Sequence, residues 1–244
     1  MTTSLYSPIN TLKPIGENIW IADGPCVSFY GIPFPTRMTL VRLNNGGLWV
    51  HSPIAPNPEL LKEIDLIGAV DHVIAPNNIH YLAVSDWKQV YPEATVWAAP
   101  KVMERAYKFN IKFPLANELS DTAPTVWEQE LDQVYVRGNK FLHEIDFFHL
   151  PSKTLILTDL IENFEAHKIP WYFALLCKLA GNIDPDGKAP LDMRMAFSGG
   201  RAQAKKAVEK MISWGPEKII ISHGRWYNEN GTAELKRAFQ WLLR

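Results

Sequence analysis

The sequence predicts an α/β protein made of two strand-rich halves, each closed by helices. Three observations carry this prediction. First, three apolar runs end on a polar residue able to bind a ligand: Thr154-Leu155-Ile156-Leu157-Thr158 leads to Asp159, Val70 to Ala75 leads to His80, and Lys218 to Ser222 leads to His223. Strands that deliver such residues at their C-terminal ends are how α/β proteins place ligands and catalysts. Second, a strand over Leu48–Ser52, a helix opening at Asn57 and the strand from Val70 make a βαβ unit, whose parallel strands should be buried. Third, both halves finish in segments of helical period, the second in Arg201–Trp214 and Thr232–Leu243.

The elements follow in order. Asn18–Ala22, Cys26–Tyr30 and Arg37–Leu43 read as short antiparallel strands, and Asn44-Asn45-Gly46-Gly47 turns the last of these into Leu48–Ser52. After Pro53 and Pro56, Asn57 caps a helix with Pro58 in its first turn and an apolar face of Leu60, Leu61, Ile64 and Ile67; Gly68 stops it. Beyond His80 come a helix through Trp87, a strand at Ala94–Ala98, a helix at Lys101–Lys108 and a loop from Asn110 to Pro124. Val126–Val136 alternates as strands do, and His143–Phe148 pairs with Thr154–Asp159 through the turn Pro151-Ser152-Lys153. Residues 161–200 show no clear period, and Gly181 to Gly187 is turn chemistry; this segment reads as an insertion or a helical lid over a site.

Composition narrows the function classes. A chain of 244 residues with 47% apolar content can bury a sizeable core, and the reading is one domain over residues 1–244. Lys and Arg number 25 against 26 Asp and Glu, so no general electrostatic grip on nucleic acid or an anionic membrane is expected. Cys26 and Cys177 lack metal or redox spacing and read as free thiols. No basic-then-apolar leader opens the chain, and no apolar run approaches the roughly 20 residues that span a bilayer, so a cytoplasmic location is expected. The nucleophile elbow G-x-S-x-G, the P-loop and the dinucleotide fingerprint are missing. The remaining histidines read as structural (His149) or as surface and turn residues (His72, His143), while His167 lies in the aperiodic segment. Trp171, Tyr172 and Phe173 leave three readings open: core, pocket lining or a homodimer contact.

The order of elements, with Asp159 and Ser222-His223-Gly224 at strand ends, resembles the metallo-β-lactamase fold, a four-layer αββα sandwich. The strings Ala75 to His80, Phe148 to Leu160 and Ile221 to Arg225 resemble an uncharacterised branch of that superfamily, a domain of unknown function. The superfamily's first motif, H-x-H-x-D-H, aligns with Ala75, Pro76, Asn77, Asn78, Ile79 and His80, so only its last histidine is kept. Its next ligand histidine falls near Gly138-Asn139, where none stands; His143 is a displaced candidate. The bridging Asp matches Asp159 and the final His matches His223. The resemblance implies that one of two metal positions is lost and that His80, Asp159 and His223 remain from the other.

Two imidazoles and a carboxylate suffice to hold zinc, iron or manganese with open positions. Such an ion would activate water or polarise a carbonyl. The expected function is therefore a metallo-β-lactamase-like hydrolase or lyase that cleaves a small-molecule ester, lactone or thioester with at most one metal ion. Asn77 and Asn78 are expected to orient the substrate, His51 to line the same cleft, and Arg225 to bind an anionic group. Two alternatives stay open: a metal-free enzyme whose Asp159 and histidines do acid/base chemistry, and a non-catalytic binding member.

Overall fold

Two long β-branched and aromatic segments, Ile19–Phe29 (β2) and Ile32–Arg42 (β3), pair antiparallel along nearly their whole length. The sequence reading divided β2 at Gly24-Pro25; the chain instead stays in the sheet and absorbs the interruption as a register irregularity between Gly24 and Val27. Similarly, β3 begins before Arg37 despite Pro33 and Pro35, because β4 (Leu48–His51) pairs only with Thr39–Arg42 and leaves the proline end as an edge. The computed structural model describes residues 5–29 and 31–244, so Tyr30, which the sequence reading placed in a strand, lies outside the described residues.

One sheet has seven strands in sequential order: β1 (Lys13–Gly16), β2, β3, β4, β5 (Val70–Ala75), β6 (Thr95–Ala98) and β7 (Asn117–Glu118). From β4 to β7 the pairing is parallel, with crossovers through α1 (Pro58–Asp65), α2 (Val84–Val90) and α3 (Val102–Lys108). The Asn57 side chain caps α1 by accepting from the Glu59 and Leu60 amides. A second sheet has four strands: β8 (Leu131–Val136), β9 (Glu144–His149), β10 (Thr154–Ile156) and β11 (Lys218–Ile220), in the order β11-β10-β9-β8.

Apolar residues of both sheets, among them Met38, Trp49 and Val73 against Phe147, Ile156 and Ile220, form the central core. The outer face of the second sheet buries Phe148, Leu155 and Ile219 against α6 (Arg201–Ser213), α7 (Gly231–Ala238) and α8 (Gln240–Leu243). Each large side chain so buried contributes roughly 1.5–3 kcal/mol. Helix, sheet, sheet, helix is the αββα order, as the resemblance implies. The aperiodic segment folds as α4 (Trp171–Ala180) and α5 (Leu191–Ala196), joined by turns. No helix among the described residues is long and apolar enough to cross a membrane.

Candidate metal centre

Strand ends place the site. β10 and β11 are parallel neighbours, so the residues that follow them, Asp159 and His223, emerge side by side. His80 arrives from the other sheet on the turn after β5, where the Asn77 side-chain carbonyl accepts from the Ile79 amide (2.8 Å) and the His80 amide (2.7 Å). The loop carrying His223 is pinned by Arg37, which is fully buried and donates to the carbonyls of Ile221 (2.7 Å) and Gly224 (2.9 Å) while paired with Asp23 (2.7 Å). Gly224 has φ +96°, and a Cβ there would stand 2.1 Å from the Asn163 carbonyl, so the turn beyond His223 requires glycine.

The three side chains converge on one point. His80 Nε2 lies 3.1 Å from Asp159 Oδ1 and 3.2 Å from His223 Nε2, and His223 Nε2 lies 3.2 Å from Asp159 Oδ1. His223 Nδ1 is 2.7 Å from the Pro35 carbonyl, which can only accept, so the neutral ring presents a lone pair at Nε2. His80 Nδ1 is 2.8 Å from Ser52 Oγ, which can accept its proton in the same way. Two imidazole lone pairs and a carboxylate oxygen pressed together repel unless a cation, either a proton or a metal ion, stands among them. Direct hydrogen bonds have these lengths, and so do the edges of a tetrahedron with metal–ligand bonds of about 2.0–2.1 Å, which are roughly 3.3 Å. The donor set and the outer bonds to Ser52 and Pro35 fit a divalent transition-metal ion.

Electrostatics agree with a cation at this point. Burial by itself would raise the Asp159 carboxyl, but the charge of His80 and hydrogen bonds from both imidazoles hold it below the ordinary carboxylate range. Burial opposes charge on His80, yet Asp159 and, more weakly, Glu144 move it above the ordinary imidazole value.

Three further carboxylates lie buried around the site. Glu144, fully buried on β9, accepts from the amides of Thr158 (2.9 Å) and Asp159 (3.1 Å) and from the Asn77 side chain (2.8 Å). Next on that face, Asp146 is also sealed in, and burial with the neighbouring Glu144 charge pushes its carboxyl well above the ordinary carboxylate range. Glu162 is buried beside the centre, accepts from Asn182 Nδ2 (2.5 Å) and is pushed up to about 7 by burial. Sequence reasoning missed all three. The one available signal was the spacing of Glu162, three residues beyond Asp159.

The His80, Asp159 and His223 side chains, with Glu162, form the floor of a cavity of about 930 Å³ walled by the β2–β3 hairpin, α4 and α5. The structure places the four residues expected at the substrate as follows. Asn77 is fully buried and its amide faces Asp159, Glu144 and Thr158, so it faces the back of the centre and is not on the cavity wall. Asn78 spends both ends of its amide on the Phe141 carbonyl (2.8 Å) and the His143 amide (3.0 Å). His51 lies beneath the cleft, not on its wall, stacked on Trp49, and burial pushes its imidazole down to about 3. Arg225 is tied to Asp184 (Nε to Oδ1 2.7 Å) and is not on the cavity wall.

The other histidines also find places. His143 bonds the Tyr135 hydroxyl (2.6 Å) away from the centre, His72 is buried against Trp127 and not on the surface, and His149 bonds Ser152 Oγ (2.7 Å). Of the aromatic triplet, Phe173 is buried on the cavity wall while Trp171 and Tyr172 are exposed. Both cysteines are free thiols.

Comparison with known proteins fits this picture. Residues 16–178 match the family described as Domain of unknown function (DUF4336), and the chain belongs to that family. A metallo-β-lactamase from Hirschia baltica is similar in structure at 16% identity, with 99% of this chain and 98% of that one covered and a TM-score of 0.62. FIM-1 from Pseudomonas aeruginosa, in its mono-zinc form, aligns at 13% identity over 100% and 98% of the two chains with a TM-score of 0.60. The metal-soaked Flv1 flavodiiron core from Synechocystis aligns at 14% identity, with a TM-score of 0.64, over 100% of this chain and 62% of that one. These likenesses show the metallo-β-lactamase fold. No curated protein matches the sequence.

Proposed function

We propose that this DUF4336 protein is a metal-dependent hydrolase or lyase that cleaves an ester, lactone or thioester bond of a small molecule. One zinc, iron or manganese ion would be held by His80, Asp159 and His223. The reading rests on one observation: three metal-ligating atoms from three chain segments lie 3.1–3.2 Å apart around one point. A divalent ion bound there supplies Lewis acidity and lowers the pKa of water to about 7.

The chain's own groups do the rest. Ser52 and the Pro35 carbonyl hold the two rings in the tautomer that points both Nε2 atoms inward. Asn77 holds Asp159 Oδ2 (2.7 Å), leaving Oδ1 for the centre. Glu162, poised at about 7, takes a proton from the attacking water as its oxygen bonds to the carbonyl carbon. It then returns that proton to the leaving oxygen or sulfur. The apolar walls keep bulk water from the reacting carbonyl.

Elemental analysis of protein purified without chelator tests the reading: about one metal ion per chain is expected, and none in the His80→Ala/His223→Ala double variant. Protein that stays metal-free even in excess zinc would sink it. A second reading has its own support in the upward shift of His80 beside Asp159. Under it, the pair acts as an acid/base couple without metal on an elimination, ring closure or isomerisation, and catalysis persists in chelator.

A further inference from the structure

The cavity is polar at its floor and apolar on its walls. We propose that its substrate carries an extended aliphatic chain, a medium or long acyl group, with the cleavable carbonyl at the floor and the chain between the β2–β3 hairpin and α4–α5. This rests on the hydrolase reading above.

Four features carry it. The walls come from three separate elements: Ile32 and Phe34 on β3, Phe173 and Leu176 on α4, and Leu191 and Met193 on α5. A volume of about 930 Å³ is far more than a carbonyl with a short substituent fills, near the top of the roughly 300–1,000 Å³ of small-molecule sites. The apolar lining continues onto the surface at Leu179 (71% exposed), Met195 (67%) and Leu82 (58%). A contiguous exposed apolar surface of this kind marks a ligand groove, and a chain leaving the floor would cover it. Methionines at 193 and 195 add side chains that adapt to an irregular or variable chain.

Charge argues for a neutral chain. Away from the floor, the charged side chains on the wall are Asp86, Asp192 and Arg105, so the rim offers one cation against two acids. A phosphate or carboxylate head finds no cluster to hold it there. Cys177 is wall and not nucleophile, because it is buried and burial pushes its thiol up to about 12.

The test separates this proposal from the metal reading by using chelated full-length protein and ligands with no cleavable bond. Methyl n-alkyl ketones, from butanone to 2-dodecanone, present an ester-like carbonyl with a growing chain. Calorimetry should show the Kd falling about fourfold per added methylene until the cavity is filled. Leu176→Asp, at a half-exposed wall position, should weaken the longest ketone at least tenfold and leave butanone unchanged, while Leu150→Asp, in the exposed turn after β9 and off the cavity wall, should change neither. Affinity independent of chain length, or a Leu176→Asp protein that is folded by circular dichroism and binds as the parent does, would overturn the proposal. Neither result depends on metal content or turnover, so failure of the hydrolase reading shows up separately in the elemental analysis.

Discussion

The two oxygens of Asp159 sit in opposite surroundings. Oδ1 faces the His80 and His223 nitrogens and the open cavity, whereas Oδ2 is held by the Asn77 amide in a region sealed by Glu144 and Thr158. By resemblance, both sides of this carboxylate serve metal ions in the superfamily. In this chain the closed side is a hydrogen-bonded lattice, with Asn77 standing where the resemblance places a motif histidine. The Asn77 amide and the Glu144 carboxylate fill that side and satisfy each other. The ligand atoms free of hydrogen bonds to the scaffold thus lie on the open side, with the bonded lattice behind them.

The predictions test that division, beginning with the change that strikes both sides. Asp159→Ala should abolish metal uptake in elemental analysis and reduce any esterase activity to background. Full metal content in this variant would show that the centre lies elsewhere. Glu162→Gln acts on the open side only. It should cost about 10²-fold in turnover of an aryl ester such as p-nitrophenyl butyrate, the low end of general acid–base effects, with metal content unchanged. In the parent, activity should rise as Glu162 loses its proton through about pH 7; a variant that keeps that limb would remove Glu162 from the mechanism.

Asn77→Leu acts on the closed side. It leaves Asp159 Oδ2 without a donor while Glu144 keeps the Thr158 and Asp159 amides, so urea unfolding should show a loss of about 1–3 kcal/mol, and metal affinity should fall about 10–100-fold as for other supporting residues. Parent-like stability would mean that the closed side is not the bonded lattice described above.

His149 lies on neither side and gives the smallest effect. Burial holds its imidazole down at about 4 against an ordinary 6.5, so it folds neutral. The unfolded chain binds that proton more readily; the stabilisation is therefore complete above about pH 6.5 and is lost as pH falls toward 4. His149→Gln should flatten that part of a Tm–pH curve without touching metal content. An unchanged slope would assign the acid sensitivity to other groups.

Much of the fold was legible because its signals are local. Apolar runs of strand length, the Asn44–Gly47 turn and the Asn57 cap each announce an element within a few residues. The misread elements were governed by distant partners. β2 crosses Gly24-Pro25 because β3 pairs on both sides of the irregularity, and the closing helix expected over Thr232–Leu243 breaks at Phe239, which is buried in the outer core.

The candidate site divides in the same way. By itself, the sequence determined that Asp159, His223 and His80 follow the ends of buried strands, since a short apolar run of strand length bounded by turn residues marks both the strand and its end. Only the tertiary structure decided what surrounds them. Arg37 reaches the His223 loop from 184 residues away, Glu144 bonds Asn77 across 67 residues, and Glu162 is held by Asn182 in the segment without a readable period. The side on which Asn77 points depends on the packing of one sheet over the other, and no local pattern records it. A strand's end is written in its own residues, but the partner of a buried polar group is chosen by whichever other segment the fold brings within hydrogen-bonding distance.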